Sequence, residues 1–223
     1  MSRPIALIFD LDGTLIDSAP DIHAGLNSVL GARGLPQLTL AQVRSFIGHG
    51  VPHLINQSLI ALDLDPQGQM RDPITREFEA IYEVSVELTT IYPNVRNALD
   101  RLLDAGHQLG ICTNKPIRPA RAILDHLDLR RYFTTIVAGD SLSVRKPDPA
   151  PLIKALWDMG DGGCLYIGDS EVDAATARAA RLPFALATHG YLKCSAVELG
   201  AEFVFDDFAQ LPEIVEKVNT FKG

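Results

Sequence analysis

The apolar positions of this 223-residue chain fall into two kinds of run. Ile5 to Phe9 is continuously apolar and ends at an acid, the pattern of a strand buried on both faces inside a parallel sheet. Gln108 to Cys112, Phe133 to Ala138 and Cys164 to Ile167 look similar. Each is bounded by turn residues and followed by a helical pattern. Pro183 to Ala187 and Glu202 to Phe205 read as shorter late strands. Between the strands the spacing changes. Ile22, Leu26, Val29 and Leu30 fall at i, i+4, i+7 and i+8, and Val95, Leu99, Leu102 and Leu103 repeat that spacing until Gly106 stops the helix. Strands alternating with helices predict a doubly wound α/β fold with a parallel sheet.

One region breaks the alternation. From Ile16 to Thr89 the pattern is helical, with expected helices over Asp21–Arg33, Leu40–Ile47, Pro52–Leu62 and Asp72–Leu88. Pro36, Gly48, Gly50, Pro66 and Gly68 separate them. The expectation is an inserted all-α helical domain, 16–89, set into an α/β core made of 1–15 and 90–223.

Charge and composition narrow the function. Lys plus Arg is 20 against 28 Asp plus Glu, a net charge of −8, which is not the basic footprint of a nucleic-acid binder. An anionic substrate then needs a local positive site on an acidic surface. The apolar run at Ile5–Phe9 is too short for a signal sequence, and no stretch approaches bilayer length. Cys112, Cys164 and Cys194 show no Cys-x-x-Cys spacing and read as reduced thiols of a cytoplasmic protein.

The candidate chemistry sits at four strand ends, where ligands of an open parallel sheet bind. Asp10-Leu11-Asp12-Gly13-Thr14 follows the first strand. Two acids at i and i+2 both face the crevice, and like charges this close call for a cation. Thr113-Asn114 closes the second strand and offers a hydroxyl and an amide to an anionic oxygen, or merely caps the next helix. Lys146-Pro147 follows the third, and a lysine there is either a phosphate-binding point charge or a surface residue. Asp169 and Asp173 follow the fourth, as helix caps or as direct and supporting oxygens for a hard cation such as Mg²⁺. Their convergence on one crevice is stronger than any single motif.

These motifs, in this order, resemble those of the haloacid dehalogenase superfamily, and the helical insert sits where that family carries a small cap. The resemblance implies that Asp10 is the nucleophile and Asp12 the general acid and base. It implies that Thr113 and Lys146 hold phosphoryl oxygens. Mg²⁺ would be bound by Asp10, the Asp12 carbonyl and Asp169, with Asp173 supporting. Thr113-Asn114-Lys115-Pro116 and Phe46-Ile47-Gly48-His49-Gly50-Val51 look like stretches of phosphoglycolate phosphatases. That group usually has Gly where Asn94 stands, a change expected to affect a turn. Within this likeness Asn114, Arg44, Gly48, His49 and Gly50 are candidate substrate contacts, with Arg44 either pairing a substrate carboxylate or simply exposed on its helix.

The absence of any lysine before Lys115 argues against a phosphonatase, and Asp12 against a dehalogenase. Sugar-phosphate phosphatase, pyrophosphatase and phosphomutase share the core motifs and stay open. A phosphoacceptor signalling module is disfavoured by the insert and by Asp-x-Asp-Gly-Thr on the first strand. The expected partners are a small phosphorylated metabolite and at most a second copy of the chain, as monomer or homodimer, with no nucleic acid and no membrane.

Overall fold

The computed structural model describes residues 4–160 and 162–220. The ends assigned above to the core domain, 1–3 and 221–223, lie outside the described residues, as does 161. From the N-terminus the elements are β1 (Ala6–Phe9), β2 (Ile16–Asp17), α1 (Ala19–Ala32), α2 (Leu40–Phe46), α3 (Val51–Ala61) and α4 (Arg71–Tyr82). There follow β3 (Thr90–Ile91), α5 (Val95–Asp104), β4 (Gln108–Cys112), α6 (Ile117–His126) and β5 (Thr135–Val137). The chain ends with α7 (Ala150–Met159), β6 (Cys164–Gly168), α8 (Glu171–Ala180), β7 (Phe184–Ala187), α9 (Ala196–Leu199), β8 (Phe203–Phe205) and α10 (Leu211–Thr220).

Six strands form one parallel sheet in the order β5-β4-β1-β6-β7-β8. The continuous apolar runs are explained by burial on both faces. Leu7 and Phe9 of β1 join Leu109, Ile111, Leu165 and Ile167 in one cluster, beneath Val95, Leu99 and Leu102 of α5 and Ile123 of α6. Ala6 and Ile8 point the other way, with Cys112, Cys164 and Tyr166, against Leu152 of α7 and Ala177 of α8. Leu103 falls outside the stripe assigned to it and is 38% exposed. It lies about 80° round the helix from Val95, at the edge of the buried face. The strand order reverses about β1, so the crevice between β1, β4 and β6 is a topological switch point.

The helical cap buries its own apolar stripe. Ile22, Leu26 and Leu30 of α1 pack with Leu54, Ile55 and Leu59 of α3 and with Ile74 and Phe78 of α4. A reciprocal capping box between Thr39 and Gln42 starts α2. Asn27 pins the loop before it, accepting from the Leu38 N–H and donating to the Leu38 carbonyl.

Two features depart from the sequence reading. Helix α4 ends at Tyr82, six residues short of the expected Leu88. Asp21 of α1 captures the returning chain, accepting from the Leu88 N–H at 3.0 Å and the Thr89 hydroxyl at 2.6 Å. Those donors cannot be satisfied by Asp21 and also lie in a continued helix. The insert also begins in a strand and is followed by its partner, because β2 pairs antiparallel with β3 through Ile16–Ile91 and Asp17–Thr90. Two-residue strands carry no periodicity, so the pattern did not reveal them. Asn94, at φ 62°, occupies the left-handed region before α5, a conformation that Gly and Asn tolerate best. Its amide donates to Asp207 at 2.8 Å. Among the described residues no helix is long and apolar enough to cross a membrane.

Asp21→Ala should leave the buried Thr89 hydroxyl and the part-buried Leu88 N–H unpaired at the return from the cap. A loss of about 1–3 kcal/mol is expected, read as a lower denaturant midpoint at unchanged slope. An unaltered midpoint would show that the return is held by packing alone.

Candidate active site

The ladder of the sheet sets the backbone of the site. The Asp10 N–H donates to the Ile167 carbonyl at 2.8 Å, and the Thr113 N–H to Val137 at 3.0 Å. Asp10, Thr113 and Asp169 therefore leave the sheet side by side. The chain turns sharply after Asp12, with Gly13 at φ 90°. A side chain there would overlap the Asp169 carboxylate, so the turn requires glycine on both counts.

At the centre is a buried ammonium. Lys146 Nζ lies 3.0 Å from Asp10 Oδ1 and 2.7 Å from Asp173 Oδ1, and donates to the Tyr166 hydroxyl at 2.9 Å. Burial works against its charge, but the Asp10 and Asp173 carboxylates outweigh it, and its pKa stands above the ordinary lysine value. Asp173 is held from both sides. One oxygen takes Lys146 and Tyr166, and the other takes the Ser170 hydroxyl in the capping box of α8. Burial alone would raise this carboxyl, yet Lys146 and these hydrogen bonds keep it below its usual range. Of the roles considered for Asp173, the structure fills the helix-cap one, as N3 of the capping box of α8.

Asp169 accepts from the Thr14 hydroxyl and from the Tyr191 N–H, each at 2.7 Å. Burial, then the charges of Asp173 and Asp10, push its carboxyl well above the usual range. Burial likewise raises Asp10 to about 7, against the opposing pull of Lys146. Oxygens of Asp10, Asp169 and Asp173 lie within 4.8 Å of one another. Three buried carboxylates face one ammonium, and Asp10 Oδ1 has no aligned hydrogen-bond donor although Lys146 is 3.0 Å away. This excess of hard oxygen charge fits a divalent cation such as Mg²⁺. The Asp12 carboxylate is not part of the cluster. It accepts from the Ser18 hydroxyl at 2.5 Å and from Lys115 Nζ at 3.1 Å.

A small cavity lies between cap and core. Asp10, Asp12, Thr113 and Lys115 form its core side, and Gly48, Gly50, Val51 and Tyr82 its cap side. Its volume is about 40 Å³, where one water needs about 10–15 Å³. The candidate residues divide here. Asn114 lines the cavity, but its amide is engaged by backbone: it donates to the Gly48 and Lys146 carbonyls and accepts from the Lys146 N–H. It therefore positions the lysine loop and docks the cap. Gly48 and Gly50 do reach the cavity; Arg44 and His49 do not line it. Arg44 pairs with Asp17 at 2.8 Å because its helix faces the hinge strand, and His49 stacks on His53 with centroids 4.5 Å apart. Lys146 also stands behind Asp10, outside the cavity lining.

Four residues of the site had no assigned role in the sequence reading. Ser18, Tyr82 and Lys115 surround Asp12, and Tyr191 links Asp169 to the hinge. The Tyr191 hydroxyl accepts from the Ser18 and Ala19 N–H groups at the start of α1 and donates to Asp17. Only Lys115 left a signal, inside the Thr113-Asn114-Lys115-Pro116 stretch.

Lys146→Met should strand two buried carboxylates. A loss of about 3–5 kcal/mol is expected for breaking a buried pair, measured by chemical denaturation without added metal. Raised carboxyl pKa values favour the protonated form, so stability is lost as pH rises through them. The deficit should therefore be larger at alkaline than at mildly acid pH. A deficit independent of pH would mean that the lysine acts through packing.

Comparison with known proteins agrees with this geometry. Residues 7–187 match the model of the haloacid dehalogenase-like hydrolase family. A phosphoglycolate phosphatase of Rhodobacter capsulatus is 48% identical over 211 residues, covering 95% of this chain and 96% of the relative. One of Rhodospirillum rubrum is 40% identical, covering 93% and 89%. The crystal structure of a predicted phosphoglycolate phosphatase from Haemophilus somnus superposes with a TM-score of 0.90 at 29% identity, covering 96% of this chain and 99% of that one. With its catalytic-motif residues gathered at the switch point of a parallel sheet beneath a helical cap, the chain belongs to the haloacid dehalogenase-like hydrolase family.

Proposed function

We propose that this protein hydrolyses a small phosphomonoester, 2-phosphoglycolate, through an aspartyl phosphate on Asp10. The observation that carries the reading is the convergence of Asp10, Asp12 and Thr113 on one small cavity closed by the Gly48–Gly50 loop. The likeness to phosphoglycolate phosphatases at 40–48% identity supports the substrate.

In the first step an Asp10 oxygen bonds to phosphorus as the ester P–O bond breaks, and Asp12 gives its proton to the leaving oxygen. In the second, Asp12 takes a proton from water as the water oxygen bonds to phosphorus and the Asp10–phosphorus bond breaks. Ser18 and Lys115 hold the Asp12 carboxyl in place for both transfers. The Thr113 hydroxyl accepts from the Lys115 N–H at 3.2 Å, which leaves its own proton for a phosphoryl oxygen. Lys146 offsets the Asp10 charge from behind. Asp10, the Asp12 carbonyl and Asp169 would hold Mg²⁺, with Asp173 behind them, and the cation would supply charge neutralisation for the transferring group. An acidic surface and buried thiols at Cys112 and Cys164 fit a cytoplasmic monomer or homodimer acting on a metabolite, independent of nucleic acid and membrane.

A screen of phosphorylated metabolites with Mg²⁺ tests the substrate. Turnover of 2-phosphoglycolate should exceed that of hexose phosphates and pyrophosphate and stop in chelator. Asp12→Asn should slow both steps but accumulate labelled phosphoenzyme from an aryl phosphate, whose leaving group needs little protonation. Equal loss on aryl and alkyl substrates with no burst in rapid quench would remove Asp12 from the proton transfers.

Protons and the cation compete for Asp10, since burial raises its carboxyl to about 7. The metal-free site loses stability as pH rises through that value. The increase in thermal midpoint on adding Mg²⁺ should therefore grow between about pH 6 and about pH 8, and Asp169→Asn should remove most of it. A pH-independent increment would place the cation elsewhere.

A further inference from the structure

We infer that Lys115 is the specificity residue that reads the carboxylate of the leaving group, held in place by Tyr82 of the cap. The inference rests on the substrate proposed above. Its ground is the charge distribution around the cavity. Asp10 and Asp12 bring two anionic groups, and Lys115 is the one cationic side chain among the lining residues. Arg44 is turned to Asp17, and Lys146 is enclosed by Asp10, Asp173 and Tyr166. The phosphoryl end of a substrate anionic at both ends is the end that Asp10 attacks, where a cation held by Asp10 and Asp169 would supply the positive charge. Lys115 is left for the other end.

Position agrees with charge. The ester oxygen that takes the Asp12 proton must lie against the Asp12 carboxyl. A carboxylate carbon two bonds further on is displaced by only about 2.5 Å. Lys115 Nζ is 3.1 Å from Asp12 Oδ1, within reach of that carboxylate. An ammonium has three donors. Asp12 takes one and the Tyr82 hydroxyl, at 2.5 Å, a second. The Tyr82 ring also lies under the ammonium, with its centroid 4.2 Å from Nζ. The Lys115 side chain is 3% exposed, so little water screens its charge. Tyr82 belongs to α4 and Lys115 to the loop after β4, so the arrangement is built from both cap and core.

The test compares 2-phosphoglycolate with 2-hydroxyethyl phosphate, which replaces the carboxylate by an uncharged hydroxymethyl group. The readout is the ratio of the two kcat/KM values. A role confined to holding Asp12 or the fold lowers both values together and leaves the ratio alone. Lys115→Met should lower the ratio about tenfold to a hundredfold, the range for a hydrogen bond to a charged group. Lys115→Arg, which keeps the charge, should retain part of it; Lys115→Gln replaces the Met variant if that one does not fold. A wild-type preference for phosphoglycolate that survives intact in Lys115→Met or Lys115→Gln overturns the assignment while the substrate stands. A wild-type ratio near one overturns the substrate itself, and the assignment with it.

Discussion

The structure depends on one buried ammonium. Lys146 lies between Asp10 and Asp173, and the rest of the site follows from its charge. Without it, three carboxylates would crowd a volume that water barely reaches, and each would take up a proton or force the loops apart. With it, Asp173 stays ionised while Asp10 and Asp169 retain an unmet demand for positive charge. That residual demand is what gives a salt-bridge cluster the charge to suit a divalent cation. The loop carrying Lys146 is in turn fixed by the Asn114 amide, which makes two hydrogen bonds to the Lys146 backbone.

Cap and core have largely separate apolar clusters, with Tyr191 of the core packing into that of the cap, and polar contacts join them further. Asp21 ties the returning chain to α1, Asn114 reaches the Gly48 carbonyl, and Lys115 reaches Tyr82. Tyr191 serves both units, since its backbone N–H holds Asp169 while its hydroxyl takes the first N–H groups of α1. Polar contacts of this kind break and re-form at lower cost than an interdigitated apolar interface. The clustered carboxylates are thereby linked to the start of α1 through Tyr191.

Much of this was legible in the sequence because its causes are local. Two-sided burial makes β1, β4 and β6 continuously apolar, and the strand-end acids follow from the switch-point geometry. The insertion showed itself through helical spacing from α1 to α4. What escaped has long-range causes. The end of α4 depends on Asp21, more than sixty residues earlier in the chain. Arg44 was a reasonable candidate for an anion until Asp17, 27 residues away, proved to hold it. Tyr191 contributes through its backbone as much as its side chain, and no residue pattern encodes that. Asn114 looked like a ligand because an exposed amide and an amide saturated by backbone are identical in one dimension.

The cap's hydrophobic cluster has an evolutionary consequence. Ile22, Leu26, Leu54, Leu59 and Phe78 pack on one another and, from the core, on Tyr191 but on no residue of the sheet, so a substitution on the cap need not be answered by another in the sheet. The Gly48–Gly50 loop and the surroundings of Tyr82, which line the cap side of the cavity, can change while the strand-end motif residues remain untouched. The two halves are free to drift at different rates, tethered through a handful of polar side chains. A lineage of such enzymes can diversify its diet without relearning its chemistry.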